Sequence, residues 1–143
     1  MTERKYLPTF ADLVDRLSIV LLKSIFISEN RAAYREEMKL IEYDLDDLLT
    51  QREVGTRPLN GEDIRAILTI MLANRTIWQN ESEARKGGEG FEHLLRLTHS
   101  INGVRNTAKN VLAMGAGERV DLKVDALAAK LPPDLGNWDV WND

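Results

Sequence analysis

The chain has 143 residues, 43% of them hydrophobic, and a formal net charge of −4, which is the composition of a single soluble globular domain. This acidic balance, with no basic run longer than two residues, argues against a nucleic-acid binder that works through a broad basic face. The absence of cysteine excludes disulfides, zinc–thiolate sites and cysteine nucleophiles, and suits a reducing cytosol. The polar N-terminus is not a signal peptide, and the longest apolar run, "IVLLKSIFI", is too short to span a bilayer. We therefore expect a cytoplasmic protein with no membrane partner.

The first two predicted elements are helices with apolar residues at helical spacing. The first begins at Thr9, whose hydroxyl can form a capping box with Asp12, and extends to about Ile27. The second covers Asn30 to Gln51, and its apolar seam is narrow, as in an antiparallel helix pair. The segment "REVGTRPLNGED" then interrupts the helical pattern with Gly, Pro and Asn-Gly.

Two longer helices follow. Asn60, with Asp63 three residues later, starts a third helix that runs to about Lys86 and ends at Gly87-Gly88. The fourth runs from about Phe91 to Met114. A short helix is predicted at 121–130, ahead of the tail "LPPDLGNWDVWND". The sequence thus predicts an all-α protein, a four-helix bundle of two antiparallel helical hairpins, with a domain over 1–131 and a C-terminal tail over 132–143.

The third helix changes character along one face. Steps of three and four residues give Ile64, Ile67, Met71, Asn74, Trp78, Glu81 and Arg85. The first part of this face is ordinary core, whereas the second part replaces hydrocarbon with an amide, an indole and two charged groups. Burial of such groups costs free energy unless each finds a partner. This end of the bundle is therefore predicted to hold either a polar pocket or an internal ion-pair network.

Similar polar residues occur on the other helices. The fourth helix carries Asn102, Arg105, Asn106 and Lys109 beside its apolar seam, and Gly103 lies within the same segment. The first helix contributes Arg16 and Lys23, two turns apart on one face. Arginine and lysine suit phosphate oxygens, and asparagine amides can read a ring edge or a sugar.

These residues predict a positive, Trp-containing pocket for a phosphorylated ligand, with Trp78 stacking on a planar ring. The predicted binding residues are Arg16, Lys23, Asn74, Trp78, Glu81, Arg85, Asn102, Arg105, Asn106 and Lys109. Three alternatives stay open. Arg105 and Lys109 can be surface residues paired with acids of the second helix, such as Asp44 or Asp47. Trp78 can be plain core, and Glu81 with Arg85 can be a simple i,i+4 pair.

No catalytic motif or metal site is predicted. His93 and His99 lie six apart and point in different directions, and no nucleophile elbow or phosphate-cradling glycine loop occurs. The pairs Asp12/Asp15 and Asp44/Asp47 are the nearest approach to magnesium-binding spacing, and Asp12 is already explained as a cap partner. We expect no cofactor.

Three segments carry a resemblance to a known family. They are "ADLVDRLSIVLLK" from Ala11, "NRTIWQNESEAR" from Asn74 and "NGVRNTAKNVLA" from Asn102, and they lie in order on three helices. The chain resembles an uncharacterised family of small helical proteins found in tailed phages and beside glycosyltransferases in bacterial surface-polysaccharide clusters. The resemblance implies a shared helical fold and polar centre, but no activity. Ser82 and Gly103 replace acidic residues of the family, a change that favours binding an anion over hydrolysing one.

The function predicted from these observations is non-enzymatic binding of a phosphorylated, nucleotide-derived small molecule by a homo-oligomer. A phage protein that sequesters a host immune nucleotide signal would fit, and would act in the host cytoplasm. One alternative is a hydrolase or transferase acting on a nucleotide or nucleotide-sugar, with Glu81 as base. Another is a protein-interaction module that uses Trp138 and Trp141 of the tail.

Overall fold

The described residues form four helices and no strand, so the predicted all-α class is confirmed for this part of the chain. A computed structural model describes residues 8–50, 58–88, 90–118 and 136–141. The helices are α1 (Phe10–Phe26), α2 (Arg31–Thr50), α3 (Gly61–Arg85) and α4 (Phe91–Gly115). Each predicted boundary lies within one or two residues of the observed one. The predicted helix at 121–130 lies outside the described residues.

Local capping sets the helix boundaries. At the start of α1, the Thr9 hydroxyl accepts a hydrogen bond from the Asp12 backbone amide, and the Asp12 carboxylate accepts one from the Thr9 amide. Asn60 and Asp63 form the same reciprocal pair at the start of α3. Each capping box satisfies two amide groups that a helix N-terminus otherwise leaves unpaired. After α3, Gly87 and Gly88 adopt positive φ angles of 73° and 95°, a conformation that side chains rarely allow.

The packing is uneven among the four helices. α3 lies along α4, α1 lies along α2, and α1 also contacts both α3 and α4. Among the described helices, the backbone of α2 approaches that of α1 alone. As a result, Ile41 is the one fully buried residue of α2. No described helix is long and apolar enough to cross a membrane.

The core where α1, α3 and α4 meet contains two clusters, and a further cluster of Leu13, Val20 and Ile41 packs between α1 and α2. One cluster joins the start of α1 to the start of α3 and the end of α4, and it contains Phe10, Ala11, Ala66, Ile70, Ala108, Leu112 and Ala113. A second cluster of Ala73, Ile77 and Ile101 lies further along α3 and α4. Alanines at both levels bring α3 and α4 close together.

The buried face of α3 differs from the predicted one. Ile64 is half exposed, and Ile67 and Met71 are only partly buried. The inward positions are instead those of Ala66, Ile70, Ala73 and Ile77. Because α4 packs against the small alanine side chains, the larger apolar residues on the neighbouring face stay at the edge of the core or outside it.

Glu118, just after the end of α4, is hydrogen-bonded to the start of α1. Both oxygens of its carboxylate accept a hydrogen bond from the Phe10 backbone amide, at 2.9 and 2.7 Å. Phe10 is the first residue of α1, and a negative charge at this position is favourable because the helix dipole is positive at its N-terminus. The end of α4 is thereby fixed to the start of α1.

Candidate functional site

A hydrogen-bonded polar network occupies the junction of α1, α3 and α4. It combines three residues predicted from the sequence with acceptors that come from α1. The predicted members are Asn74, Arg105 and Lys109, and the α1 members are Asp12, Asp15 and Ser18. Asn74, the first polar residue of the α3 face, therefore meets partners on two other helices, as burial of a polar group requires.

Asn74 is the centre of this network and is only 3% exposed. Its Nδ2 donates to Oδ1 of Asp15 at 2.7 Å and to Oγ of Ser18 at 2.6 Å. Its Oδ1 accepts from Nη1 of Arg105 at 3.0 Å. The amide therefore uses both donors and its oxygen, and a single side chain connects all three helices.

Arg105 has donor capacity left over. Within the described part of the chain, its Nε is buried and has no hydrogen-bond partner. Arginine carries five N–H donors, and a buried donor without a partner costs free energy. The guanidinium is therefore held by Asn74 but is not saturated by the described protein groups.

Lys109 connects α4 to two carboxylates of α1. Its Nζ lies 3.1 Å from Oδ1 of Asp12 and 3.6 Å from Oδ2 of Asp15. The Lys109 side chain is 24% exposed, so this double ion pair sits at the edge of the network. The acids that neutralise Lys109 lie on α1 and not on the second helix, because α2 packs on a different side of α1.

Lys109 also affects the titration of Asp12. Burial raises the pKa of Asp12, but hydrogen bonds from Lys109 and Thr9 and the positive charge of Lys109 outweigh burial and lower the pKa below its usual value. A carboxyl group whose pKa is lower in the folded chain than in the unfolded chain stabilises the fold while it is ionised. This contribution is present at neutral pH and is lost as the pH falls through the folded pKa.

We expect Lys109→Met to reduce the dependence of stability on acid pH. Since Asp12 is nearly half exposed, the ion pair contributes at most about 1 kcal/mol at neutral pH after solvent screening. Urea unfolding at pH 7 and pH 3 measures the difference in the free energy of unfolding between these conditions. The difference should be larger for the native chain than for Lys109→Met. An equal difference in both proteins would show that Asp12 is not stabilised by Lys109.

The other predicted residues lie in several places. Arg16 is mostly exposed and its Nη2 lies 2.9 Å from Oε1 of Glu37 on α2. Glu81 and Arg85 form an exposed i,i+4 ion pair at 3.8 Å, which is one of the alternatives predicted for them. The remaining four are half-buried: Lys23, Trp78, Asn102 and Asn106. Among the described residues, the contacts thus join Asn74 to Arg105 directly and to Lys109 through Asp15, and none of them joins Arg16, Glu81 or Arg85 to these three.

The acidic members of the network were not predicted as site residues. The capping box alone accounts for an aspartate at position 12, so the sequence does not indicate that Asp12 also pairs with Lys109. Asp15 and Ser18 lie three residues apart and share a face with the buried residues Ala11 and Leu22. That spacing is the signal in the sequence, because a carboxylate on a buried helix face requires a partner.

Both tryptophans of the tail pack against the helices. Trp138 contacts the cluster of Ala73, Ile77 and Ile101. Trp141 packs against the cluster around Phe10, and the guanidinium of Arg65 lies 4.4 Å from the centre of its ring. The described end of the tail is therefore part of the packed structure.

Comparison with known proteins gives no relative. No protein-family model, no curated protein and no solved structure matches the chain.

Proposed function

We propose that the chain binds a phosphorylated, nucleotide-derived small molecule without turning it over, in a groove over α1 between α4 and α2. The support comes from one stripe of α1. Asp12, Arg16 and Lys23 follow each other at four and seven residues, so they share a helix face. Asp12 contacts Lys109 of α4, and Arg16 contacts Glu37 of α2. This stripe therefore borders both neighbouring helices, and this double contact is the observation that carries the proposal.

The facing stripe of α4 supplies further groups for an anion. Asn106 and Asn102 lie three and seven residues before Lys109, on the side of α4 that meets the α1 stripe. Because Asp12 pairs with Lys109 near the end of α4, Lys23 lies about 16 Å further along α1, about one helical turn beyond the level of Asn102, at a rise of 1.5 Å per residue. Three cations and two amides then line one groove, enough for a phosphate and a neutral hydrogen-bonding group.

The charges of this groove are balanced when no ligand is bound. Arg16 pairs with Glu37, and Lys109 pairs with Asp12 and Asp15. A phosphate can replace a partly exposed carboxylate because it offers the same kind of acceptor with more charge. Asn74 and Arg105 lie beneath the groove and hold the three helices together. Trp78, Glu81 and Arg85 belong to α3, which does not line this groove, so their roles stay predictions.

Several finer predictions belong to this proposal. We take the α1–α2 and α3–α4 pairs as the two antiparallel hairpins of a four-helix bundle, because Arg16 pairs with Glu37 while early α3 residues pack with late α4 residues. We further propose a homo-oligomer that acts in the cytoplasm and sequesters its ligand, as a phage protein would. The resemblance to the phage and polysaccharide-cluster family stays a prediction.

Calorimetric titration with ATP, ADP-ribose and a cyclic dinucleotide tests the proposal. We expect one of these to bind, and Lys23→Gln to weaken that binding about tenfold or more because a charge-assisted hydrogen bond is lost. Lys39→Gln is the matched control, since Lys39 is an exposed lysine of α2 outside the proposed groove. Binding by none of the three ligands, or equal losses in both variants, would contradict the proposal. Recovery of the intact ligand after denaturation separates binding from hydrolysis or transfer.

A further inference from the structure

The outer face of α3 exposes an apolar stripe. Ile64, Leu68 and Leu72 follow each other at four-residue steps, with exposures of 49%, 59% and 60%. Three large apolar side chains in a row are unusual on the surface of a monomer, where such residues are normally scattered. The stripe therefore has the character of a contact surface.

Two arginines flank Leu68 and Leu72 of this stripe, and each is held by an aromatic ring. The guanidinium of Arg65 lies 4.4 Å from the centre of the Trp141 ring, and that of Arg75 lies 4.5 Å from the centre of the Phe26 ring. Stacking orients the flat face of a guanidinium while its N–H groups remain directed outward in the plane. The two arginines are ten residues apart on α3, about 15 Å along the helix.

The outer face of α2 has the complementary pattern. Leu40 and Tyr43 are 61% and 72% exposed, and Glu36 and Asp47 lie on the same face at its two ends. The two acids are eleven residues apart, about 16 Å along the helix. Along α2, two acids thus enclose two apolar residues. Along α3, Arg65 and Arg75 enclose Leu68 and Leu72 in the same order and over nearly the same length.

We propose that a second copy of this chain docks its α2 on this stripe of α3, and that the two copies exchange this contact across a two-fold axis. Among the described helices of one chain the backbone of α2 approaches that of α1 alone, so a contact between α2 and α3 requires another molecule. A two-fold axis satisfies both copies at once, because each presents both surfaces. Glu36 and Asp47 then face Arg65 and Arg75, while Leu40 and Tyr43 cover Leu68 and Leu72. This interface is the contact that forms the homo-oligomer of the proposed function, and its formation requires no ligand.

Sedimentation equilibrium over a range of protein concentrations tests this interface. We expect the native chain to be a dimer at about 100 µM, and Leu68→Glu with Leu72→Glu to weaken dimerisation at least about a hundredfold because two apolar side chains are lost from each of the two exchanged contacts. Met114→Glu is the matched control, because Met114 is 70% exposed on α4, a helix that carries neither of the two surfaces. Circular dichroism confirms that each variant is folded. A monomeric native chain, or equal weakening by the control, would overturn the proposal.

Charge reversal tests which helices meet. The variant Arg65→Glu with Arg75→Glu and the variant Glu36→Arg with Asp47→Arg should each be monomeric, because each places like charges opposite each other in both copies of the contact. An equimolar mixture of the two should recover a heterodimer, because opposite charges then face each other at both contacts. Failure of the mixture to associate, while the native chain is a dimer, would show that another surface forms the dimer.

These measurements use the chain without nucleotide, so their outcome is separate from the calorimetric titration. A dimer that depends on Leu68 and Leu72 but binds no nucleotide would support the proposed interface and contradict the proposed function. Nucleotide binding by a monomer would contradict the interface and support nucleotide binding.

Discussion

Replacing Asn74 by alanine is expected to lower the free energy of unfolding by about 3 kcal/mol, because two partly buried charged groups each lose a hydrogen bond at once. Asp15 and Arg105 both depend on the Asn74 amide, which is itself almost fully buried. The alanine side chain cannot replace either hydrogen bond and is too small to exclude water from the site. Urea unfolding followed by far-ultraviolet circular dichroism measures the change.

The matched controls for Asn74 are two asparagines of α4. Asn102 and Asn106 are half-buried, and their replacement by alanine should cost less than about 1 kcal/mol, as is usual for partly exposed positions. A loss for Asn74→Ala as small as that of the controls would show that the network contributes little to stability. Combining Asn74→Ala with Arg105→Met should cost less than the sum of the single changes, because the two side chains share a hydrogen bond.

The helices could be predicted from the sequence because their boundaries depend on neighbouring residues. Thr9 with Asp12, and Asn60 with Asp63, form capping boxes within four residues of chain, and Gly87 ends α3 by its own conformation. These signals act before any tertiary contact is made. The predicted helix at 121–130 lies outside the described residues and stays a prediction.

The arrangement around the candidate site depended on tertiary contacts and was predicted only in part. The polar face of α3 indicated that Asn74 must have partners, and Arg105 and Lys109 were among the predicted residues. Periodicity does not tell which side of α1 meets α2 and which meets α4. Arg16 was therefore expected beside the α4 cations, whereas it pairs with Glu37 of α2.

The partners of Lys109 show the same limit. A lysine on a helix surface can pair with any acid that the fold brings near, and α2 carries most of the clustered acids. The observed partners, Asp12 and Asp15, are on α1 because α1 contacts α4 while the backbone of α2 does not approach it. Pairing across helices is thus a property of the packing and cannot be read from local spacing.

The second large effect is expected at Ile101, whose side chain is fully buried between α3, α4 and the tail. Replacement by alanine should lower the free energy of unfolding by about 3 kcal/mol, because three methylene or methyl groups are lost and a cavity remains. The cavity is bordered by Ala73, Ile77 and Trp138. Alanine at position 73 cannot extend to fill it, so the free energy cost should be near that of other rigid sites.

A graded series at Ile101 separates this cavity cost from a general weakening of α4. Ile101→Val should cost about 1 kcal/mol, and Leu95→Ala, at a 40% exposed position of the same helix, should also cost little. The near-ultraviolet circular dichroism of the tryptophans should weaken in Ile101→Ala, because Trp138 loses part of the surface against which it packs. An unchanged signal together with a full loss of stability would mean that the tail does not depend on this cluster. If Ile101→Ala cost no more than Leu95→Ala, the buried contact between α3 and α4 at this level would be wrong.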